Sequence, residues 1–161
     1  MQNDVVTRYH VDRLVQARKF ALRPTRNTLY VNDPELKRCE ISVPIRRVDN
    51  PATDLVLVFD AHDKTKSPSG IRALIKPSAA LLWHGKRIRG VDHTLKHPIV
   101  DNGVPTGYIR GWHEHFWTDT DEDDSIRAPD PPPKNEDLAS IIEWCSENWN
   151  IEGIPSSLEL F

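Results

Sequence analysis

The chain has 161 residues and a mass of 18.5 kDa, with 38% hydrophobic and 28% charged residues. That is enough apolar material for one domain on one core, and it excludes a disordered polyampholyte. No run of about 18 apolar residues occurs, and the first twenty residues mix charges with apolar side chains, so the sequence predicts a cytoplasmic protein with neither a membrane span nor a signal peptide. Its net charge of −3 hides an asymmetry: residues 1–110 carry 19 Lys and Arg against 11 Asp and Glu, a net +8, whereas residues 111–161 carry 2 against 13, a net −11. The basic part suits a phosphate backbone or an acidic partner, and the acidic part suits a basic one.

In chain order, Val5, Val6, Tyr9, Leu14, Val15 and Phe20 share one side of a 3.6-residue period, which predicts an amphipathic helix over about residues 4–20 with Lys19 on its polar side. Cys39, Ile41, Val43 and Ile45 alternate with polar residues as in a half-buried strand, and Pro44, unable to donate to a ladder, points to a sheet edge. The run Leu55–Phe59 is apolar on both faces and reads as a central strand. Lys64–Gly70 reads as a loop, and residues 71–76 and 79–84 as strands. Around His84-Gly85-Lys86 the chain turns into a hairpin with 87–92. Residues 93–107 carry Pro, Gly and Asn and read as a long loop, followed by a strand over 108–117. An acidic, then proline-rich, excursion over 118–134 is expected to be mobile. Last, Leu138, Ile141, Ile142, Cys145 and Trp149 predict a helix capped by Asn135. The expectation is a single α+β domain over residues 1–161, with an antiparallel sheet of about five or six strands flanked by an N-terminal and a C-terminal helix. Cys39 and Cys145 lack a CxxC partner or a disulfide framework, as in a reducing compartment.

Five of the seven histidines, His84, His93, His97, His113 and His115, fall between residues 84 and 115. In a strand, residues i and i+2 share a face, so His113 and His115 present both imidazoles together. The same rule places Arg87 and Arg89 on one face of their strand, with Asp92, His93 and His97 in the adjoining segment. One chemistry for this set is metal-free cleavage of RNA, with no cofactor. His113 and His115 would be acid and base, His93 a third acid/base candidate, Arg87 and Arg89 the phosphate clamp, and Asp92 an orienter of one imidazole. His97, Trp112 and Trp117 would bind substrate, the indoles by stacking on bases. A second chemistry is metal binding by His113, His115, His93 and Asp92, a ligand set suited to zinc or iron. A third reading has no catalysis: the acidic 114–124 segment docks on a basic partner surface.

The order Arg89-Gly90-Val91-Asp92, His93, His97-Pro98, Asp101-Asn102-Gly103 and Gly111-Trp112-His113-Glu114-His115-Phe116-Trp117, closed by a helix ending Trp144-Cys145, resembles a group of small bacterial and phage proteins. These share an Arg-x-Asp strand, a His-Pro/Asp-x-Gly loop and a His-x-His strand. More distantly, the pattern is similar to TumE-type toxins of toxin–antitoxin pairs. The resemblance implies a mobile-element or defence setting, RNA as a substrate and a cognate antitoxin as a protein partner.

Overall fold

The structure, a computed structural model, describes residues 8–30, 37–51, 54–62, 77–117 and 123–155. Helix α1 (Arg8–Gln16) leads into β1 (Lys19–Ala21), β2 (Thr25–Tyr30), β3 (Lys37–Arg47), β4 (Leu55–His62), β5 (Ser78–Trp83), β6 (Lys86–Asp101), β7 (Val104–Trp117) and β8 (Asp123–Arg127). Helix α2 (Leu138–Asn148) and β9 (Ile151–Glu152) follow. The strands form one nine-stranded sheet among the described residues, antiparallel except where β1 runs parallel to β9. The α+β expectation holds, with more strands than the sequence reading foresees. Among the described residues no helix is long and apolar enough to cross a membrane.

Alternation builds the core. Ile41, Val43 and Ile45 of β3, Leu55, Leu57 and Phe59 of β4, and Ala79 and Leu81 of β5 project from one face of the sheet. Against them pack Val11 and Val15 of α1 and Ile141, Ile142, Trp144 and Cys145 of α2. Both helices therefore cover the same face. At roughly 1.5–3 kcal/mol for each large aliphatic or aromatic side chain withdrawn from water, this layer is the main source of stability.

Three departures from the expected elements have local causes. The first helix ends at Gln16, and Phe20 belongs to β1. Lys19 is not on a polar helix face but fully buried, its Nζ donating to the carbonyls of Leu14 (2.9 Å), Val15 (2.6 Å) and Ala17 (2.5 Å). It thereby satisfies carbonyls that the end of α1 leaves unpaired. Pro44 lies in the sheet interior, because β1 and β2 line β3 in two pieces. Its carbonyl accepts from Leu22 N at 2.8 Å, in the break between those pieces. A residue's N and C=O point to the same side of a strand, so its missing N–H falls at the break and costs no ladder bond. Finally, 93–107 is not a loop. Strands β6 and β7 form one long hairpin, turned by Asn102 (φ 46°) and Gly103 (φ 80°), the Asn-Gly pair that a two-residue turn with positive φ favours.

Helix α2 is capped by Asp137, not Asn135: the Asp137 carboxylate accepts from Ser140 N at 2.8 Å. Within the acidic and proline-rich excursion, β8 pairs with β7 and buries Ser125 and Ile126. The strand expected over 71–76, the loop at 64–70, and residues 118–122 lie outside the described residues.

Candidate functional site

The β6–β7 hairpin curls. Strand β6 neighbours β7 and β7 neighbours β8, yet Val100, near the hairpin tip, pairs with Ile126 of β8. Asn102 N bonds Ser125 Oγ at 3.4 Å and ties the tip down. Inside the curl, on the sheet face that the helices do not cover, lie His113 and His115. Period-2 alternation places them there together, and both are buried, His113 completely. Asp92 stands directly across from His113 in the β6–β7 register.

His97 joins them through a β-bulge. Between Thr94 and His97 strand β6 spends one more residue than β7 does between Gly111 and Ile109. Plain alternation from Asp92 would turn His97 to the opposite face, and the extra residue turns it back. Its ring stacks on His113 with centroids 4.6 Å apart and planes at 27°, and lies 5.3 Å from His115; the His113 and His115 rings are 4.7 Å apart. One ligating atom from each of the three imidazoles falls within 4.8 Å of the others.

Hydrogen bonds fix two tautomers. A carbonyl only accepts, so the contact of His113 Nδ1 with Gly111 O (3.2 Å) and that of His97 Nδ1 with Pro98 O (3.0 Å) put a proton on each Nδ1. Nε2 of each ring is then the lone-pair nitrogen in the neutral form. His113 Nε2 touches Asp92 Oδ1, and His115 Nε2 lies 3.5 Å from Asp92 Oδ2. Asp92 Oδ1 and His113 Nε2 are closed to solvent, and neither makes a hydrogen bond of sound geometry. Burial pushes the Asp92 carboxyl up, but the imidazoles of His113 and His115 outweigh that and hold it well below the ordinary carboxylate range. A neutral His113 would aim its lone pair at this carboxylate, an arrangement that a cation shared by the two groups would relieve.

Asp92 and His115 also line a cavity of about 360 Å³ on the same sheet face, together with Arg87, Glu40, Asp60 and the small residues Ala80 and Gly90. Arg87 reaches this face because of a second bulge, at Leu81/Leu82, where β6 again carries one extra residue.

That bulge separates the two arginines that alternation would put together. Arg89 is on the helix face, where it is buried. It pairs with Asp12 of α1, donates to Ile88 O at 2.8 Å and lies 4.5 Å from the Phe116 ring centroid. Burial lowers its pKa, with the charges of Asp12 and Glu114 opposing. His93 is likewise across the sheet from His113, edge-on to Trp112 at 5.2 Å and 2.8 Å from Glu136 Oε1. Trp112 packs against the core. Glu114, the first acid of the segment proposed to dock a partner, is drawn inward: Trp149 Nε1 donates to it at 3.3 Å, and burial raises its pKa. The Trp117 side chain lies outside what the structure describes. Of the expected site, then, His113, His115, Asp92, His97 and Arg87 share one face, while Arg89, His93 and Trp112 belong to the other. Nothing in the sequence marks the carboxylates Glu40 and Asp60, because only the pairing of β3 with β4 brings them to the cavity. Compared with protein-family models, with curated proteins and with solved structures, the chain gives no match.

Proposed function

We propose that the protein binds one divalent transition metal ion, zinc or iron(II), through His97, His113 and His115, with Asp92 as fourth ligand or as the base beside it. His115 and Asp92 also line the 360 Å³ cavity, through which a substrate would reach the ion. The observation that carries this reading is the convergence of one ligating atom from each of His97, His113 and His115 within 4.8 Å, with Gly111 O and Pro98 O holding the Nδ1 protons of His113 and His97. Crowding three imidazoles beside a single carboxylate is unfavourable if all are protonated, and it is what a borderline-soft ion asks of its ligands. Backbone carbonyls on Nδ1 are the usual outer support of such ligands. A three-imidazole site with an open position lowers the pKa of bound water to about 7 and polarises carbonyl or phosphoryl oxygens, which makes hydrolysis of a small substrate the expected reaction class.

Metal analysis of protein purified without chelator tests this. One zinc or iron per chain is expected, lost in His113→Ala and in His97→Ala. Zinc supplied at a hundred times its dissociation constant should raise the unfolding free energy by about 2.7 kcal/mol. Neither metal nor a zinc-induced shift in melting temperature would end the proposal.

The second reading, metal-free RNA cleavage with His113 and His115 as acid and base, draws on Arg87, a guanidinium on the cavity that Asp92 and His115 also line. It takes the cation at His113 to be a proton. RNA cleavage that survives EDTA and disappears in a His113→Ala, His115→Ala double variant would favour it over the metal.

A further inference from the structure

On the helix face, across the sheet from the imidazole cluster, three guanidiniums surround one aromatic ring. Phe116 of β7 is half-buried, and Arg127 Cζ lies 4.1 Å, Arg89 Cζ 4.5 Å and Arg8 Cζ 5.9 Å from its centroid. Strand pairing sets two of them there. Arg89 stands directly across from Phe116 in the β6–β7 ladder, and Arg127 of β8 stands across from Glu114, which shares a face with Phe116. Arg8 comes from α1, which packs over this face. Among the described residues the carboxylates beside them are Asp12, already paired with Arg89, and Glu114, which burial inclines toward its neutral form. Three cations therefore meet at most two counter-charges, and the charge of Arg8 adds to the burial that makes the Arg89 charge costly.

The three arginines are not equivalent. Arg89 is buried and donates to Asp12 and to Ile88 O, so it contributes its field and not its N–H groups. Arg127 is exposed and held over the ring. Contact with a ring face restrains a guanidinium and leaves the N–H groups in its plane to reach outward. Arg8 is anchored from another side, since its Nη1 donates to Asn102 Oδ1 at 3.1 Å, in the turn of the β6–β7 hairpin. Two restrained forks thus border one ring, which lowers the ordering cost of a shared ligand. A carboxylate has two oxygens and is served by one fork. A terminal phosphoryl group has three, with a charge between about −1.5 and −2 at pH 7, enough for both. We propose that Arg8 and Arg127 form a binding site for a terminal phosphoryl group, that of inorganic phosphate or a small phosphate monoester. Each guanidinium donates to phosphoryl oxygens, Arg89 adds an attractive field, and Phe116 keeps the forks in place. The site stands apart from the proposed metal, because none of its residues belongs to the imidazole cluster.

The test is a titration of the isotope-labelled chain with methyl phosphate, followed by nuclear magnetic resonance at the arginine Nε–H signals. Shifts at Arg8 and Arg127 are expected to follow one dissociation constant. Arg8→Gln and Arg127→Gln should each weaken binding by about tenfold or more. Arg127→Lys should weaken it nearly as much, since lysine keeps the charge and loses the fork. Arg46→Gln removes a charge from an exposed residue of β3 that alternation places on the opposite face, and it should change nothing. Dimethyl phosphate and acetate should bind at least about tenfold more weakly than methyl phosphate, having fewer free oxygens and less charge. Adenosine 5′-monophosphate and O-phosphoserine separate the sources: the one that binds more tightly than methyl phosphate, and loses that binding in Arg127→Gln, carries the natural group. Melting temperatures separate lost binding from lost folding, and either arginine variant suffices if the other fails to fold. Arginine signals that do not move, equal binding of dimethyl and methyl phosphate, or Arg46→Gln weakening binding as much as Arg127→Gln would overturn the site. Binding that survives both arginine variants and disappears in His113→Ala would overturn it too, by placing the anion at the imidazole cluster.

Discussion

Arg89 offers the sharpest separation of architecture from chemistry. Its guanidinium is buried on the helix face with Asp12 as its partner from α1, Glu114 nearby and the Phe116 ring beneath it. Removing one member of a buried ion pair costs about 3–5 kcal/mol, because the other charge is left without compensation. Two features of this site reduce that figure: the Asp12 side chain is 42% exposed, and Glu114 remains as a second counter-charge. Asp12→Ala should therefore destabilise by about 2–3 kcal/mol. For a chain of this length that corresponds to a fall in melting temperature of about 4–12 °C. Replacing both charges, with Asp12→Leu and Arg89→Met, removes the uncompensated ion as well as its partner, and Glu114 keeps the Trp149 Nε1 donor and the charge of Arg127 nearby. The double variant should lie within about 1–2 kcal/mol of wild type. Urea unfolding of the two singles and the double gives the coupling energy directly. Metal content should be unchanged throughout, since none of these residues touches the imidazole cluster. If Asp12→Ala unfolds within about 0.5 kcal/mol of wild type, the pair is not what holds Arg89 inside, and that arginine would again be available as a phosphate ligand.

Lys19 gives a pH-dependent prediction. Burial, with Arg47 adding to it, lowers its pKa from 10.5 to about 7, so the folded chain releases this proton before the unfolded chain does. Between about pH 7 and 10 the unfolded state then binds one more proton, and unfolding free energy rises with pH by about 1.4 kcal/mol per unit. The penalty is complete below the folded value and absent above the unfolded one. Lys19→Met has no proton to lose and should flatten this segment of a urea-midpoint series; an unchanged slope would mean that the three carbonyls around Nζ keep the ammonium charged. Asp137→Ala removes the cap of α2 and should cost about 1 kcal/mol, read as a thermal shift, whereas Asn135→Ala should leave helix stability nearly unchanged.

What could be read in the sequence was what depends on period alone. His113 and His115 share a face because two residues of strand separate them, and the core residues of β3, β4 and α2 follow from alternation and helical spacing. Bulges are invisible to that reasoning, and two of them decide the site: one turns His97 toward His113, the other parts Arg87 from Arg89. Two prolines, Pro98 and Pro105, made 93–107 look like a loop, although Asn102-Gly103 carries the turn chemistry of a hairpin. Lys19 shows the same limit from another side. A lysine placed just past the end of a short helix can fold back onto its carbonyls, and nothing in a hydrophobic period distinguishes that from a lysine in water. Glu40 and Asp60 were out of reach because which strands adjoin is a property of topology, whereas the sequence gives only which residues alternate.

Gly111 ties the backbone to the proposed metal ligands. It has φ of +91°, lies opposite Thr94 at the start of the bulge, and supplies the carbonyl that holds His113 Nδ1. A β-carbon there would meet nothing closer than His93 Nε2 at 3.5 Å, which is ordinary contact, so sterics between side chains do not forbid alanine. The conformation does: a non-glycine residue in this region costs about 1–3 kcal/mol. Gly111→Ala can meet that cost by keeping the backbone and losing stability, or by rotating the peptide and releasing the carbonyl from His113. In the second case the imidazole loses the acceptor that fixes its tautomer, and zinc affinity should drop by about 10–100-fold, the usual effect of removing such a support. Measuring both quantities on one variant distinguishes the routes, and each is informative about the site. A Gly111→Ala protein that matched wild type in urea midpoint and in zinc affinity would show that neither the left-handed backbone nor its carbonyl contributes. His113 would then not be held with Nε2 toward a metal, because that orientation depends on the proton staying on Nδ1.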